Sequence, residues 1–416
     1  MTQMLRDETK IEGSATPGLT GDKRAKNGLR ASLQPGVFLM TDSFDTGGSE
    51  RQFAALAQSL DPSSFRLSLG CIQKRGAFLD SLGEVPEFGL GGSLYGLQSI
   101  RTRLRLRRHL RALDIAVAHA FDFYTNLTLI PAARMARTPI VIGSQRQLGD
   151  LLSSTQFRMQ TAMFHWCDAV VCNSHAAANV LLEHGLPQHK IAVIANGLPP
   201  SCFAETAPAL PRRPGLLRVG MIARMNTEAK NHRDFLRAAA RIHGVLGDVE
   251  FILVGDGPLR EQFEHEAQRL GLGEHVQFLG DRRDVTSILA SLHVSVLPSA
   301  SESLSNVIIE SMAAGVPVIA NNVGGNTELV SADRGVLVTA GDDEALANAI
   351  ERLLRDANLR AQFGHNAKRF ALANFTVDQM RKRHEDLYAG LLERKSWRAM
   401  RFRQPTSPPT PKGLHG

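Results

Sequence analysis

The sequence predicts an α/β protein built of two doubly wound halves. Three observations carry this: a repeated strand–helix alternation, a proline-bearing break at mid-chain, and a length that one core does not fill. At 416 residues the chain exceeds the size at which single cores stop growing, and it suits two domains. The alternation starts at Gly36, where GVFLM is a short buried-strand run followed by a Gly-containing turn and the helical stretch GSERQFAALAQSL. The strand-like runs FRLSLGCI, DIAVAHAF, TPIVIGS, DAVVCNS and KIAVIANG follow, interleaved with helical stretches. That rhythm indicates a mostly parallel sheet covered by helices on both faces. Residues 206–215, TAPALPRRPG, hold three prolines and no apolar period, so they read as a linker. The rhythm then restarts with LLRVGMIA, VEFILVGDG, HVQFLG, HVSVLPS and GVPVIAN. The expected architecture is two Rossmann-like halves, residues 35–205 and 216–376. A polar extension without periodicity occupies 1–34, and a tail from Ser396 with Pro405, Pro408, Pro409 and Pro411 is expected to be disordered over 396–416.

Composition narrows the function. Hydrophobic residues at 43% and charged residues at 21% are globular values. Only 6% of residues are aromatic, which argues against nucleic-acid binding through stacked bases. The +7 net charge suits anionic ligands or an anionic membrane surface without identifying either. Four cysteines (Cys71, Cys167, Cys172, Cys202) are too few for a disulfide framework, and Cys167 with Cys172 lacks the second pair a zinc site needs. Buried thiols in a reducing compartment are expected. The polar start MTQMLRDETK has no apolar signal core, and no run reaches the ~20 apolar residues of a membrane helix. A soluble, cytoplasmic protein is therefore expected. The stretch RTRLRLRRHLRA (101–112) holds Arg101, Arg103, Arg105, Arg107, Arg108 and Arg111. Its ordinary reading is the solvated face of a domain helix; the sharper one is a membrane-surface contact or a site for a polyanionic acceptor.

The stretch richest in chemistry is HVSVLPSASESLSNVIIESMAAGVPVIANNVGG, residues 293–325. A buried strand ends at Pro298, a Ser-rich loop follows, and a helix starts near Asn306 with Ser305 as its N-cap. Gly315 and Pro317 stop that helix before the next strand. Its N-terminus opens at the carboxyl end of a parallel strand, where doubly wound sheets bind ligands and backbone N–H groups suit a phosphate. Glu302 in the loop and Glu310 in the helix face one crevice, which suits a nucleotide sugar: a carboxylate for ribose hydroxyls beside amides for a diphosphate. Two Glu eight apart would ordinarily be a surface coincidence, but here loop, cap and helix stop set both at one mouth. Upstream, RVGMIARMNTEAKNHRDFL carries Arg224 and Lys230, two cations able to neutralise a leaving diphosphate. The chain has no Asp-x-Asp motif, and no metal is expected.

These pieces together resemble the retaining glycosyltransferases of family 4, which share the GT-B fold. The resemblance rests on Glu302–Glu310 as E-x7-E, Arg224 with Lys230, LVGDGPLR (253–260), VQFLGDRRDV (276–285) and AAGVPVIANNVGG. TGGSERQ (46–52), VIGSQRQLGD, VVCNS and VIANG extend it into the first half, over roughly residues 36–392 in all. It implies two Rossmann-like domains facing a deep cleft, an acceptor domain at 35–205 and a donor domain at 216–376. It also implies a last helix, 377–395, crossing back onto the first domain. Arg224 and Lys230 would bind the donor diphosphate, Glu310 the ribose, and Glu302 the sugar near the reacting carbon. Backbone amides of Ser303, Leu304, Ser305 and Asn306 would cradle phosphate. The Gly47–Gly48 turn would let the first domain approach the donor, and Arg282 would sit beside the base through its main chain. On the acceptor side the candidates are His119, Asp122 and Arg146.

Three departures from the family pattern stand out. Five residues separate Arg224 from Lys230 where four are commoner, so the loop bulges or Lys230 is displaced. His119-Ala120-Phe121-Asp122 replaces the frequent H-x-H, putting Phe121 at the second His. ESLSN replaces E-G-L-P, a change expected to tune the donor pocket. The implied function is a metal-independent, retaining transfer from a nucleotide-diphosphate sugar, UDP- or GDP-linked, with no cofactor, to a glycan or lipid-linked acceptor. The competing readings are a nucleotide-sugar epimerase or phosphorylase on the same fold, or a non-catalytic nucleotide-sugar-binding subunit. A dehydrogenase is disfavoured because GDGPLR lacks the third glycine of G-x-G-x-x-G.

Overall fold

A computed structural model describes residues 34–45 and 47–401, with side chains described to residue 396. The expected extension, Gln34 apart, lies outside the described residues, as do Thr46 and the Pro-rich tail from 402.

Two parallel six-stranded sheets organise the chain. The first contains β1 (Gly36–Thr41), β2 (Arg66–Cys71), β3 (Ile115–Ala120), β4 (Ile140–Gln145), β5 (Ala169–Cys172) and β6 (Ile191–Val193). Their order is β2-β1-β3-β4-β5-β6. The second contains β7 (Leu217–Ile222), β8 (Val249–Val254), β9 (Val276–Phe278), β10 (Val294–Leu297), β11 (Val318–Asn321) and β12 (Gly335–Val338). It runs β12-β11-β10-β7-β8-β9. Every strand of these pairs runs parallel. The apolar runs noted in sequence become strands because parallel sheets are covered on both faces, so a central strand such as GVFLMT is buried at every position.

The helices of the first half are α1 (Gly48–Ser59), α2 (Leu97–Ala112), α3 (Phe123–Ala136), α4 (Ser154–His165) and α5 (His175–Glu183). Those of the second are α6 (His232–His243), α7 (Arg260–Arg269), α8 (Val285–Leu289), α9 (Asn306–Ala313), α10 (Asn326–Leu329), α11 (Asp343–Arg355) and α12 (Ala357–Asn374). The last helix, α13 (Val377–Arg401), returns to the first half. Helices α2 to α5 cover one face of the first sheet through Leu106, Leu129, Phe164 and Leu181. Phe53 and Leu56 of α1 and Met380 and Tyr388 of α13 cover the other. The crossing is pinned where Val377 N–H donates to the Leu198 carbonyl at 2.9 Å and Asp61 N–H donates to Glu385 at 2.9 Å. This helix runs through Arg401, past the expected boundary at 395, because no proline or glycine stands in ERKSWRAMR to stop it. Residues 206–215 form neither helix nor strand, and Cys71, Cys167 and Cys172 are buried free thiols.

Both strand orders contain one switch point, between β1 and β3 and between β7 and β10, where the chain reverses its direction of travel across the sheet. Ligand crevices of open α/β sheets form at the carboxyl ends of strands flanking such a point. The Gly47–Gly48 turn follows β1, Asp122 follows β3, Arg224 and Lys230 follow β7, and Glu302 to Glu310 follow β10.

Candidate functional site

The loop after β7 is held from below. Ala223 N–H donates to Val254 and Met225 N–H to Asp256, both at 2.9 Å. Gly255, at φ 127°, lets the turn after β8 come this close, since a Cβ there would lie 2.1 Å from the Ala223 carbonyl oxygen. The longer Arg224–Lys230 spacing is taken up as one helical turn, Glu228–Lys230, with Thr227 Oγ1 accepting from Ala229 N–H at 3.2 Å. Lys230 still reaches the loop after β10: its Nζ lies 2.6 Å from Glu302 Oε1. Arg224 faces the first half, where its charge favours the ionised form of Glu50, whose pKa is raised mainly by burial.

The loop after β10 is clamped between β11 and the glycines that follow it. Asn321 Nδ2 donates to the carbonyls of Pro298 (2.6 Å) and Ser299 (3.2 Å), and Gly325 N–H donates to Glu302 O at 2.9 Å. At Gly324, φ is 44° and a Cβ would stand 2.1 Å from that same Glu302 oxygen, so this contact requires glycine. Ser305 caps α9 as the sequence predicts, accepting from Ile308 N–H at 3.3 Å. One turn in, Glu310 is only 4% exposed. Burial raises its pKa, and Arg51 of α1, to which it is ion-paired, opposes that rise.

The two halves meet around α9. Asn306 Nδ2 donates to Gly48 O at 3.3 Å, and Asn306 Oδ1 accepts from Asn196 Nδ2 at 2.7 Å. Gln52 accepts from Gly197 N–H at 2.8 Å and reaches Asn306 Oδ1 at 3.4 Å. Ser303 Oγ donates to Asn173 Oδ1 at 2.6 Å and Leu304 is buried. At the N-terminus of α5, Glu328 accepts from the amides of His175 (3.0 Å) and Ala176 (2.8 Å). Sequence reading missed Arg51, Gln52, Asn173, Asn196 and Glu328. Each but Glu328 had a signal, since Arg51 and Gln52 stand inside TGGSERQ, Asn173 inside VVCNS and Asn196 inside VIANG; what was missing was the partner each one meets.

Arg282 lies on the loop after edge strand β9, exposed, with its guanidinium 2.6 Å from Asp284. Its side chain is not brought to Lys230, Glu302 or Glu310 by any bond among the described residues.

Among the acceptor-side expectations, the one for His119 needs correction. His119 is fully buried, with Nδ1 2.7 Å from Tyr388 Oη of α13 and Nε2 2.8 Å from Ser144 Oγ. Desolvation, then the charges of His384 and Arg146, hold its pKa well below the ordinary value. It is a neutral tie between sheet and crossing helix, with no face toward the cleft. Phe121 is 5.2 Å from Phe53, packed edge to face. Asp122 is engaged as the N-cap of α3: it accepts from Thr125 N–H at 3.0 Å and from Asp42 N–H at 2.6 Å. Arg146 is half-buried over the Phe121 ring, 4.9 Å from its centroid, and donates to Asn196 at 2.7 Å. Burial lowers its pKa to about 10, so it stays charged at neutral pH. Of the three, Arg146 alone joins the interdomain network, through Asn196 to Asn306.

Asp122 carries a pH signature. Burial, its largest influence, raises its pKa from 3.8 to about 7. Between those values the folded chain holds a proton that the unfolded chain releases, so stability falls as pH rises through the window. The advantage of wild type over Asp122→Asn in urea midpoint should therefore decline from below pH 4 to above pH 7. Equal slopes in both proteins would mean Asp122 titrates normally.

Comparison with known proteins matches both halves. Residues 46–201 match the model of "Glycosyltransferase Family 4", and residues 217–356 that of "Glycosyl transferases group 1". The chain is 30% identical to the lipopolysaccharide core biosynthesis glycosyltransferase LpsE of Rhizobium meliloti (strain 1021), over 56% of this chain and 66% of that protein. It is 25% identical to the putative glycosyltransferase EpsF of Bacillus subtilis (strain 168), over 78% of this chain and 88% of the relative. The crystal structure of Anabaena Alr3699/HepE in complex with UDP superposes with a TM-score of 0.75 at 23% identity, covering 86% of this chain and all of that one. The likeness is one of fold, two parallel sheets across a cleft in the GT-B arrangement. With one glycosyltransferase model on each sheet, the chain belongs to the glycosyltransferases of family 4 and group 1.

Proposed function

We propose that the protein transfers a sugar, with retention and without a metal ion, from a nucleotide-diphosphate sugar to a glycan or lipid-linked acceptor. The observation that carries this is the Lys230–Glu302 pair at 2.6 Å. It stands at the β7/β10 switch point, beside the capped start of α9 and Glu310 one turn inside. In this reading the diphosphate lies against Lys230, Arg224 and the first amides of α9, the ribose hydroxyls replace Arg51 on Glu310, and Glu302 faces the sugar. The two cations stabilise charge as it develops on the leaving diphosphate, the work a divalent ion does elsewhere.

Retention through a covalent intermediate needs a carboxylate on the far face of the sugar. Asp122, a carboxylate among the acceptor-side candidates, is engaged in the α3 cap, which supports same-face transfer. There the bond from anomeric carbon to phosphate oxygen breaks, the acceptor oxygen bonds to that carbon on the same side, and its proton passes to the departing diphosphate. Alr3699/HepE has been crystallised with UDP-glucose and LpsE belongs to lipopolysaccharide core biosynthesis; a uridine donor and a surface glycan are accordingly the first to test.

A thermal-shift panel of UDP, GDP, ADP and CDP, with and without magnesium, tests the donor reading. A ligand at about 100 times its Kd stabilises by roughly 2.7 kcal/mol. One nucleotide is expected to raise the melting temperature of wild type equally with and without magnesium. Silence from all four, or a shift that needs magnesium, would overturn it.

A further inference from the structure

The net charge of this chain is concentrated in one segment. Residues 88–167 contain ten arginines, no lysine, three aspartates and no glutamate, a balance of +7 that equals the formal charge of the whole chain. In the structure this segment supplies α2, α3 and α4, which lie side by side on one face of the first sheet. None of the three helices contains an acidic residue.

Apolar exposure is concentrated in the same place. Among the described residues eleven large apolar side chains are exposed, and eight of them fall between residues 95 and 166, including Tyr95 (71%), Leu97 (76%), Ile100 (52%) and Trp166 (52%). The outer face of α2 reads Leu97, Ile100, Arg101, Leu104, Arg108, Arg111, spaced by three or four residues, opposite the buried Ser99, Thr102, Leu106 and Leu110. Ile100 and Leu104 line a groove of about 510 Å³ with Pro131, Met135 and Trp166. At its edge Arg103 and Arg134 are held by the fold, Arg103 on the Leu94 and Leu127 carbonyls and Arg134 on Asp168.

We propose that this face of the first half, α2 with the ends of α3 and α4, docks on an anionic lipid bilayer. Arg101, Arg108, Arg137 and Arg158 meet lipid phosphates, and Leu97, Ile100, Leu104 and Trp166 enter the headgroup layer. A solvated helix face would interleave both signs of charge and would not gather these apolar side chains. A soluble polyanion would use the arginines but not the exposed tryptophan and leucines, whereas a bilayer surface offers phosphate and hydrocarbon together. The inference is independent of the donor site.

Flotation of the full chain with phosphatidylcholine vesicles, with and without phosphatidylglycerol, tests it. Binding is expected only to the anionic vesicles, and it should weaken at ~0.5 M salt. Arg101→Glu with Arg108→Glu should weaken partition at least about tenfold. Ile100→Ser with Leu104→Ser should also reduce it. In a Trp397→Phe background, Trp166 emission should shift to the blue on vesicle addition. Ile100, Arg101, Leu104 and Arg108 are exposed, and the variants at these positions should melt with the protein into which they are introduced. Wild type that ignores anionic vesicles, or variants that bind like wild type, would overturn the proposal. Arginine-dependent binding to a soluble sulfated polysaccharide, with no vesicle binding, would overturn it in favour of a polyanionic acceptor.

Discussion

Lys230→Ala should lower kcat by about 10²–10³-fold, the usual loss when one fixed donor to developing negative charge is removed. The ammonium approaches Glu302 at 2.6 Å, and the pair sits where the turn after β7 meets the loop after β10. In the proposed reading, a diphosphate arriving there would share the ammonium with Glu302 and gain most as the bond between sugar and phosphate breaks. The loss therefore belongs in kcat more than in KM. Ala300 N–H donates to Ala229 O at 2.8 Å, so the loops stay joined without the side chain and the variant should melt close to wild type. Initial rates with the donor found by the nucleotide panel measure the effect. Arg224→Ala should lower kcat in the same sense, and Lys230→Arg should recover part of the loss, since it returns the charge without the compact ammonium geometry. Retained turnover in both alanine variants would place the diphosphate elsewhere.

Glu310→Ala should weaken nucleotide binding by about 1.5–3 kcal/mol per lost hydrogen bond, about ten- to a hundredfold in Kd. The carboxylate is buried, and Arg51 is its ion-pair partner. Arg51 is 42% exposed at its side chain, so water recovers it when Glu310 is removed. Arg51→Ala instead leaves a buried carboxylate without its counter-charge, which is costly. Titration calorimetry on Glu310→Ala and melting of Arg51→Ala separate two roles for the pair. Weakened nucleotide binding assigns Glu310 to the donor. Unchanged affinity with a lowered melting point would make Glu310 a tie between the halves.

What could be read from the chain was local. Buried parallel strands are continuous apolar runs, so GVFLMT and VEFILV announce themselves, and the break at 206–215 separates two such series. Ser305 as a cap and Gly315 as a stop follow from the few residues around them, because caps and turns are satisfied within one turn of backbone. The E-x7-E spacing and the cations after β7 were legible for the same reason, each being a short pattern on one loop and helix. His119 misled because its sequence position, at the end of a central strand, is compatible with a cleft or a core. Tyr388, 269 residues away, closes over it.

The sequence by itself determined the two α/β halves, the loop and helix that bear Glu302 and Glu310, and the arginine-rich stretch. Only the tertiary structure decided which polar groups meet: Lys230 with Glu302 across 72 positions and Arg51 with Glu310 across 259. It also decided that Asp122 caps a helix and that arginines and exposed apolar side chains share one face. Periodicity and capping are encoded by neighbours along the chain, whereas the partner of a buried charge is set by how the two sheets come together.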